Sequence, residues 1–174
     1  LARPQWGFSW QEATQRGLDI VVAVDTSKSM LASDLTPNRL QRARLAALDL
    51  MELAQQDRLG LVAFAGSAFL QCPLTLDNQA FQQSVEILNP DVIPQGGTSI
   101  SEAIESALTA FDRENNNYKA IIILTDGEDH EKGAVAAAEK AMDAGCQVFT
   151  VGLGTPEGEL IQIVGQDNQR SFLK

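Results

Sequence analysis

The stretch Asp19-Ile20-Val21-Val22-Ala23-Val24-Asp25-Thr26-Ser27-Lys28-Ser29 decides how the rest of the sequence is read. After Asp19 it is unbroken aliphatic up to Val24, and a run without polar alternation predicts a strand buried on both faces. From Asp25 onward the character changes to short, oxygen-bearing side chains. In open α/β sheets, ligands bind beyond the carboxyl ends of the strands. The two halves therefore predict a buried strand and a site at its end.

Working outward, strands alternate with amphipathic helices. A helix is expected from Pro37, capped by Thr36, with Leu40, Ala43, Ala47, Leu48, Met51 and Ala54 facing inward. Residues 59–65 form the next strand, with 68–71 as its hairpin partner across Gly66-Ser67. Asp77 caps a short helix carrying Phe81, Ser84, Val85 and Leu88, which Asn89-Pro90 ends. Ser99 with Glu102 fits a capping box for a helix carrying Ile100, Ile104, Ala107, Leu108 and Phe111. Residues 119–125 read as another buried strand. A helix from Gly133 turns Val135, Ala138 and Met142 inward and stops at Gly145, and 147–151 is the strand after it. The stretch 154–174 is irregular, with a short hairpin around Asp167-Asn168. This order predicts an α/β fold, doubly wound and Rossmann-like. Its central sheet is mostly parallel with one antiparallel edge strand, and helices cover both faces. Residues 1–174 are expected to form one domain.

Composition narrows the function. Hydrophobic residues make up 44% and charged residues 21% of the chain, an ordinary globular balance. A formal net charge of −10 and a pI of about 4.4 argue against nucleic acid, which needs a positive surface, and against docking to anionic lipid by charge. Cys72 and Cys146 lie far apart in apolar surroundings without metal spacing, and read as small buried residues. The apolar runs are strand-length, well short of the roughly 20 residues a membrane span requires. The chain opens on Leu1 rather than Met and closes on Ser171-Phe172-Leu173-Lys174, so an excised portion of a longer protein is expected.

Three loops bring oxygen ligands to one sheet edge. Asp25, Ser27 and Ser29 alternate after the first strand, and alternate residues of an extended loop point the same way. Gly96-Gly97-Thr98 lets backbone approach closely and puts a hydroxyl at a helix start. Thr125-Asp126-Gly127 leaves another buried strand and brings Asp126 to the same edge. Two carboxylates and three hydroxyls form a hard-oxygen set suited to Mg²⁺, with Mn²⁺ as a substitute; without His or Cys ligands, Zn²⁺ and Cu²⁺ are disfavoured. Neutral hydroxyls leave the cation electrophilic, so a partner's Asp or Glu carboxylate would be attracted to it. The expected role is protein binding through a metal, not catalysis.

Asp-x-Ser-x-Ser after an apolar strand, a distant Thr after Gly-Gly, and Leu-Thr-Asp-Gly after a second strand resemble the metal-ion-dependent adhesion site of von Willebrand A domains and integrin I domains. Further segments resemble the Bacteroides aerotolerance (Bat) proteins: Ala2-Arg3-Pro4-Gln5, Gly17-Leu18-Asp19-Ile20, Ser29-Met30 with Asp34 and Pro37-Asn38-Arg39-Leu40, and Leu124-Thr125-Asp126-Gly127-Glu128-Asp129-His130. That resemblance implies membrane helices flanking this domain, a periplasmic position for it on the inner membrane, and other Bat-type proteins or a MoxR-type AAA+ ATPase system as partners.

Competing readings are weaker on the same residues. A metal-assisted hydrolase or phosphatase is the alternative, with Glu128, Asp129 and His130 as its candidate bases. The single histidine, His130, has no Gly-x-Ser-x-Gly elbow and reads as a solvated loop residue. Asp25-Thr26-Ser27 lacks the second acid of a D-x-D phosphatase loop. Gly152-x-Gly154 lacks the third glycine of a dinucleotide site. Asp126, Glu128, Asp129 and Glu131 read as a solvated rim rather than a second cation site.

Overall fold

The computed structural model describes residues 17–91, 93, 95–111, 116–127, 133–155, 161–164 and 170–173. Five strands form one sheet: β1 (Leu18–Asp25), β2 (Arg58–Phe64), β3 (Ala68–Thr75), β4 (Tyr118–Thr125) and β5 (Cys146–Gly152), in spatial order β3-β2-β1-β4-β5. All neighbours are parallel except β2 and β3, which form the antiparallel edge. The chain winds outward from β1 toward β2 and β3, then crosses back to place β4 on β1's other side. The crevice between the carboxyl ends of β1 and β4 is thus the switch point of the sheet.

The aliphatic run of β1 feeds two cores, because successive side chains point to opposite faces. Ile20, Val22 and Val24 pack with α1 (Arg39–Leu53) and α2 (Asn78–Glu86) through Leu40, Ala43, Ala47, Phe81 and Val85. Val21 and Ala23 pack on the other face with α3 (Ile100–Ala110) and α4 (Ala134–Asp143) through Ala103, Ile104, Ala107, Ala137 and Ala141. The doubly wound sheet with helices on both faces is as the sequence predicts. β6 (Ile161–Val164) and β7 (Arg170–Leu173) form a separate antiparallel pair flanking the expected Asp167-Asn168 turn, which lies outside the described residues.

Caps mostly follow the sequence. Asp77 accepts from the N–H groups of Gln79 and Ala80, and the Ser99 hydroxyl accepts from that of Glu102. Two expectations need correction. α1 is capped by Asn38, whose side chain accepts from Gln41 N–H at 2.8 Å, and not by Thr36. Pro37 stands before the cap, following a cis bond from Thr36, and Arg39 is the first helical residue. In α4, Ala137 and Ala141 face inward, whereas Val135 and Met142 are 75% and 69% exposed. Glu139, Lys140 and Asp143 mark one polar side, and Val135 and Met142 stand at one margin of the broad apolar arc that remains. The alanine side wins because it meets Ala103 and Ala107 of α3, where small side chains let the helices come close.

Candidate functional site

β1 ends on Asp25, and the chain is held at once to the neighbouring strand. Thr26 donates to the Phe64 carbonyl through both its backbone N–H at 2.7 Å and its hydroxyl at 3.1 Å. Ser27 N–H donates to Asp25 Oδ1 at 2.8 Å, closing an Asx turn. The loop does not stay extended, as side-chain alternation would require. It winds into a 3-10 turn at Lys28–Leu31, anchored by Met30 at 0% exposure. The two serines still converge: Ser27 Oγ lies 2.9 Å from Ser29 Oγ. Lys28 is exposed.

β4 delivers the other carboxylate. Its last residue, Thr125, donates its hydroxyl to Asp25 Oδ2 at 2.7 Å and accepts from Gly127 N–H at 3.2 Å. Asp126 follows immediately, close enough for its charge to act on Asp25. Thr125, bonded directly to Asp25, belongs to this candidate site and is a residue that the ligand set above omits. Its signal in the sequence is its place as the last residue of a buried strand, directly before Asp126.

Thr98 reaches the same edge by a different route. Ser99 N–H donates to the Ala65 carbonyl at 2.7 Å, and Gly66 N–H to that of Gln95 at 3.2 Å, pinning the Gly-Gly loop against the end of β2. A Cβ on Gly66 would stand 2.3 Å from the Gly96 oxygen, so only glycine permits this approach. Thr98 is 2% exposed at the start of α3. Among the described residues, no hydrogen bond joins it to Asp25, Ser27, Ser29 or Asp126. The structure thus links Asp25 to Ser27 and Ser27 to Ser29, brings the charge of Asp126 to bear on Asp25, and sets the Thr98 loop at the carboxyl end of the neighbouring strand β2.

Asp126 is engaged by a residue to which the sequence reading gives no role. Arg39 Nη1 donates to Asp126 Oδ2 at 2.9 Å, while its Nε and Nη2 grip Asp34 at 2.8 and 2.9 Å. The Arg39 and Asp126 side chains are only 10% and 1% exposed. Asp34 also accepts from Thr155 N–H at 2.9 Å, and together these bonds hold its carboxyl down at about 2, led by the Arg39 hydrogen bonds.

Electrostatically, Asp25 is the unusual group. It is fully buried, and burial pushes its carboxyl above the ordinary value; the bonds from Ser27 and Thr125 pull the other way, and the Asp126 charge adds to the rise. No cationic side chain pairs with it among the described residues. Hydrogen bonding is complete, since no buried side-chain polar atom among them is unsatisfied. What Asp25 lacks is positive charge. No group of three or more His, Cys, Asp or Glu side chains gathers among these residues. A cation at this edge would therefore rest on two carboxylates and on hydroxyls. Glu128, Asp129, His130 and Glu131 lie outside the described residues.

A family model described as the von Willebrand factor type A domain matches residues 20–128, from the first buried strand to just past Asp126. The chain belongs to the von Willebrand factor type A domain family. Such domains are characteristically protein-interaction modules. Among solved structures, the conserved hypothetical protein BatB from Bacteroides thetaiotaomicron is similar at 37% identity with a TM-score of 0.83, covering 91% of this chain and 80% of that one. An aerotolerance-related membrane protein from Bacteroides fragilis matches at 36% and 0.82, covering 91% of this chain and 82% of that one. A UPF0353 protein of Mycolicibacterium vanbaalenii is 30% identical over 151 residues, 80% of this chain and 45% of its own. This von Willebrand A domain chain thus spans less than half the length of the curated relatives it matches. The Bat resemblance read from the sequence stands. Among the described residues, no helix is long and apolar enough to cross a membrane.

Proposed function

We propose that this domain binds a partner protein through a divalent cation, Mg²⁺ with Mn²⁺ as substitute, held by Asp25, Ser27, Ser29, Thr98 and Asp126. The observation that carries the reading is Asp25: a fully buried carboxylate with neutral donors, a second carboxylate beside it and no cationic partner among the described residues. Burying a charge is costly unless it is paired or coordinates a metal. The hydroxyls of Ser27 and Ser29, 2.9 Å apart, supply neutral oxygens next to it. A hard cation with open positions suits this donor chemistry. When bound, the metal supplies an electrophilic centre for a carboxylate of the partner. The chain's own residues do the rest: Thr125 orients Asp25, the 3-10 turn presents the serines, and the glycine loop sets Thr98.

The full-length protein, on this reading, is anchored in the inner membrane with the domain on the periplasmic side. Its partners are other Bat-type proteins or a MoxR-type AAA+ system. Likeness to an aerotolerance-related membrane protein supports the anchoring. The test is capture of partners by the domain in Mg²⁺ and again in EDTA, with wild type and Asp25→Asn. Partners held only by wild type and only in Mg²⁺ support the proposal. Partners held equally in EDTA refute it.

A further inference from the structure

The site contains a cation of its own. Arg39 is 8% exposed, although it is the first residue of α1, where the helix dipole disfavours positive charge. Its guanidinium is gripped by both oxygens of Asp34 and extends its remaining arm, Nη1, to Asp126 Oδ2 at 2.9 Å. Asp34 is fixed in turn by Thr155 N–H at 2.9 Å and Thr155 Oγ1 at 3.3 Å. Gly154 lies against the guanidinium, with its Cβ position 3.5 Å away. The segment after β5 therefore helps to hold the guanidinium in place. Of the two carboxylates at the edge, Asp126 carries a counter-charge and Asp25, among the described residues, does not.

We propose that Arg39 is a positioning residue and the built-in counter-cation of the metal site. It shares the Asp126 carboxylate with the metal, lowering the negative charge available to the ion. The proposal rests on the metal reading above. Two consequences follow from Coulomb's law. The metal is bound less tightly than two free carboxylates would bind it, and a bound ion keeps more charge for a partner's carboxylate. In the metal-free protein, Arg39 also prevents Asp25 and Asp126 from facing each other as two uncompensated anions.

The test is calorimetric titration of Mg²⁺ into wild type, Arg39→Met and Arg39→Lys, with thermal melts of each in EDTA and in saturating Mg²⁺. Arg39→Met should bind Mg²⁺ about tenfold more tightly or better, the scale expected when a unit positive charge is removed from a carboxylate that would hold the ion in a partly screened site. It should melt below wild type in EDTA and recover most of the difference in Mg²⁺. Arg39→Lys, which keeps the charge, should bind Mg²⁺ within a few-fold of wild type. Should Arg39→Met fail to fold, Arg39→Gln is expected to shift affinity the same way. If the neutral variants bind Mg²⁺ no more tightly and lose stability equally in EDTA and Mg²⁺, Arg39 is only structural and the proposal falls. If wild type itself binds no divalent ion, the metal reading falls and takes this proposal with it.

Discussion

Asp19 and Asp25 occupy opposite ends of the same strand, both at 0% exposure, and the protein treats them in opposite ways. At the amino end, Arg58 grips both oxygens of Asp19, and Asn117 donates to Oδ1 at 2.9 Å. Burial raises the Asp19 carboxyl, but the Arg58 and Asn117 bonds outweigh it and the net shift is downward. At the carboxyl end, Asp25 accepts from Ser27 and Thr125 alone among the described residues, feels the charge of Asp126, and is shifted upward. One strand thus shows one buried carboxylate paired with a guanidinium and another with no cationic partner among the described residues. Exposure alone would have ranked them equal. The partners tell them apart.

Breaking the structural end should have the largest effect. Arg58→Met leaves Asp19 buried without its guanidinium partner, and should cost about 3 kcal/mol, the low end for a broken buried pair because the Arg58 side chain is 30% exposed and Asn117 still donates to Asp19. Denaturant melts should show the same loss in EDTA and in Mg²⁺, since no metal reaches that end. A loss that Mg²⁺ repairs would erase the distinction between the two aspartates.

Next comes the metal-dependent gain at the other end. At a hundredfold excess of Mg²⁺ over Kd, wild type should gain about 2.7 kcal/mol over its EDTA value, and Asp25→Asn should gain almost none. Asn is the better probe than Ala here. Ala would leave the Ser27 N–H and the Thr125 hydroxyl without their acceptor.

A smaller effect depends on pH. Asp34 is held at about 2 in the folded protein, below its unfolded value, so its contribution is complete above roughly pH 4 and lost as pH falls through about 2. Asp34→Asn should therefore flatten the acid limb of melting temperature against pH in that window. A limb unchanged by the substitution would show that Asp34 and Arg39 do not pair in solution. Smallest of all, Lys140→Met should change stability by less than about 0.5 kcal/mol, because the Lys140–Glu105 pair is 66% and 54% exposed. That variant sets the baseline for an ion pair without burial.

Much of this was legible in the sequence because it depends on local rules. Unbroken aliphatic runs gave the strands, and their ends placed Asp25 and Asp126 at one edge. Asp77 and Ser99 were readable as caps. Arg39 was not, because its partners are Asp34 a few residues back and Asp126 far along the chain, and no periodicity encodes that pairing. A basic residue at the positive end of a helix was the available signal. The inward face of α4 was hidden because its larger apolar residues, Val135 and Met142, stand at one margin of a broad apolar arc, and the 3-10 turn after Ser27 because the alternation of Asp25, Ser27 and Ser29 fits an extended loop equally well. Asp19 and Asp25 both read as strand-end acids, and only the positions of Arg58 and Asn117 separate them.

On this reading Asp25 is buried at the sheet edge for a cation and not for the fold. A raised carboxyl means that the folded protein holds that proton more tightly than the unfolded chain does. Its favourable contribution is present at low pH and lost as pH rises through the folded value, so at pH 7 without metal the ionised group costs stability. The most direct measurement is the melting temperature of Asp25→Asn against wild type in EDTA at pH 7. The variant should melt at or above wild type, with the gap closing as pH is lowered. A variant melting several degrees below wild type in EDTA would make Asp25 a structural residue like Asp19, and would contradict the account.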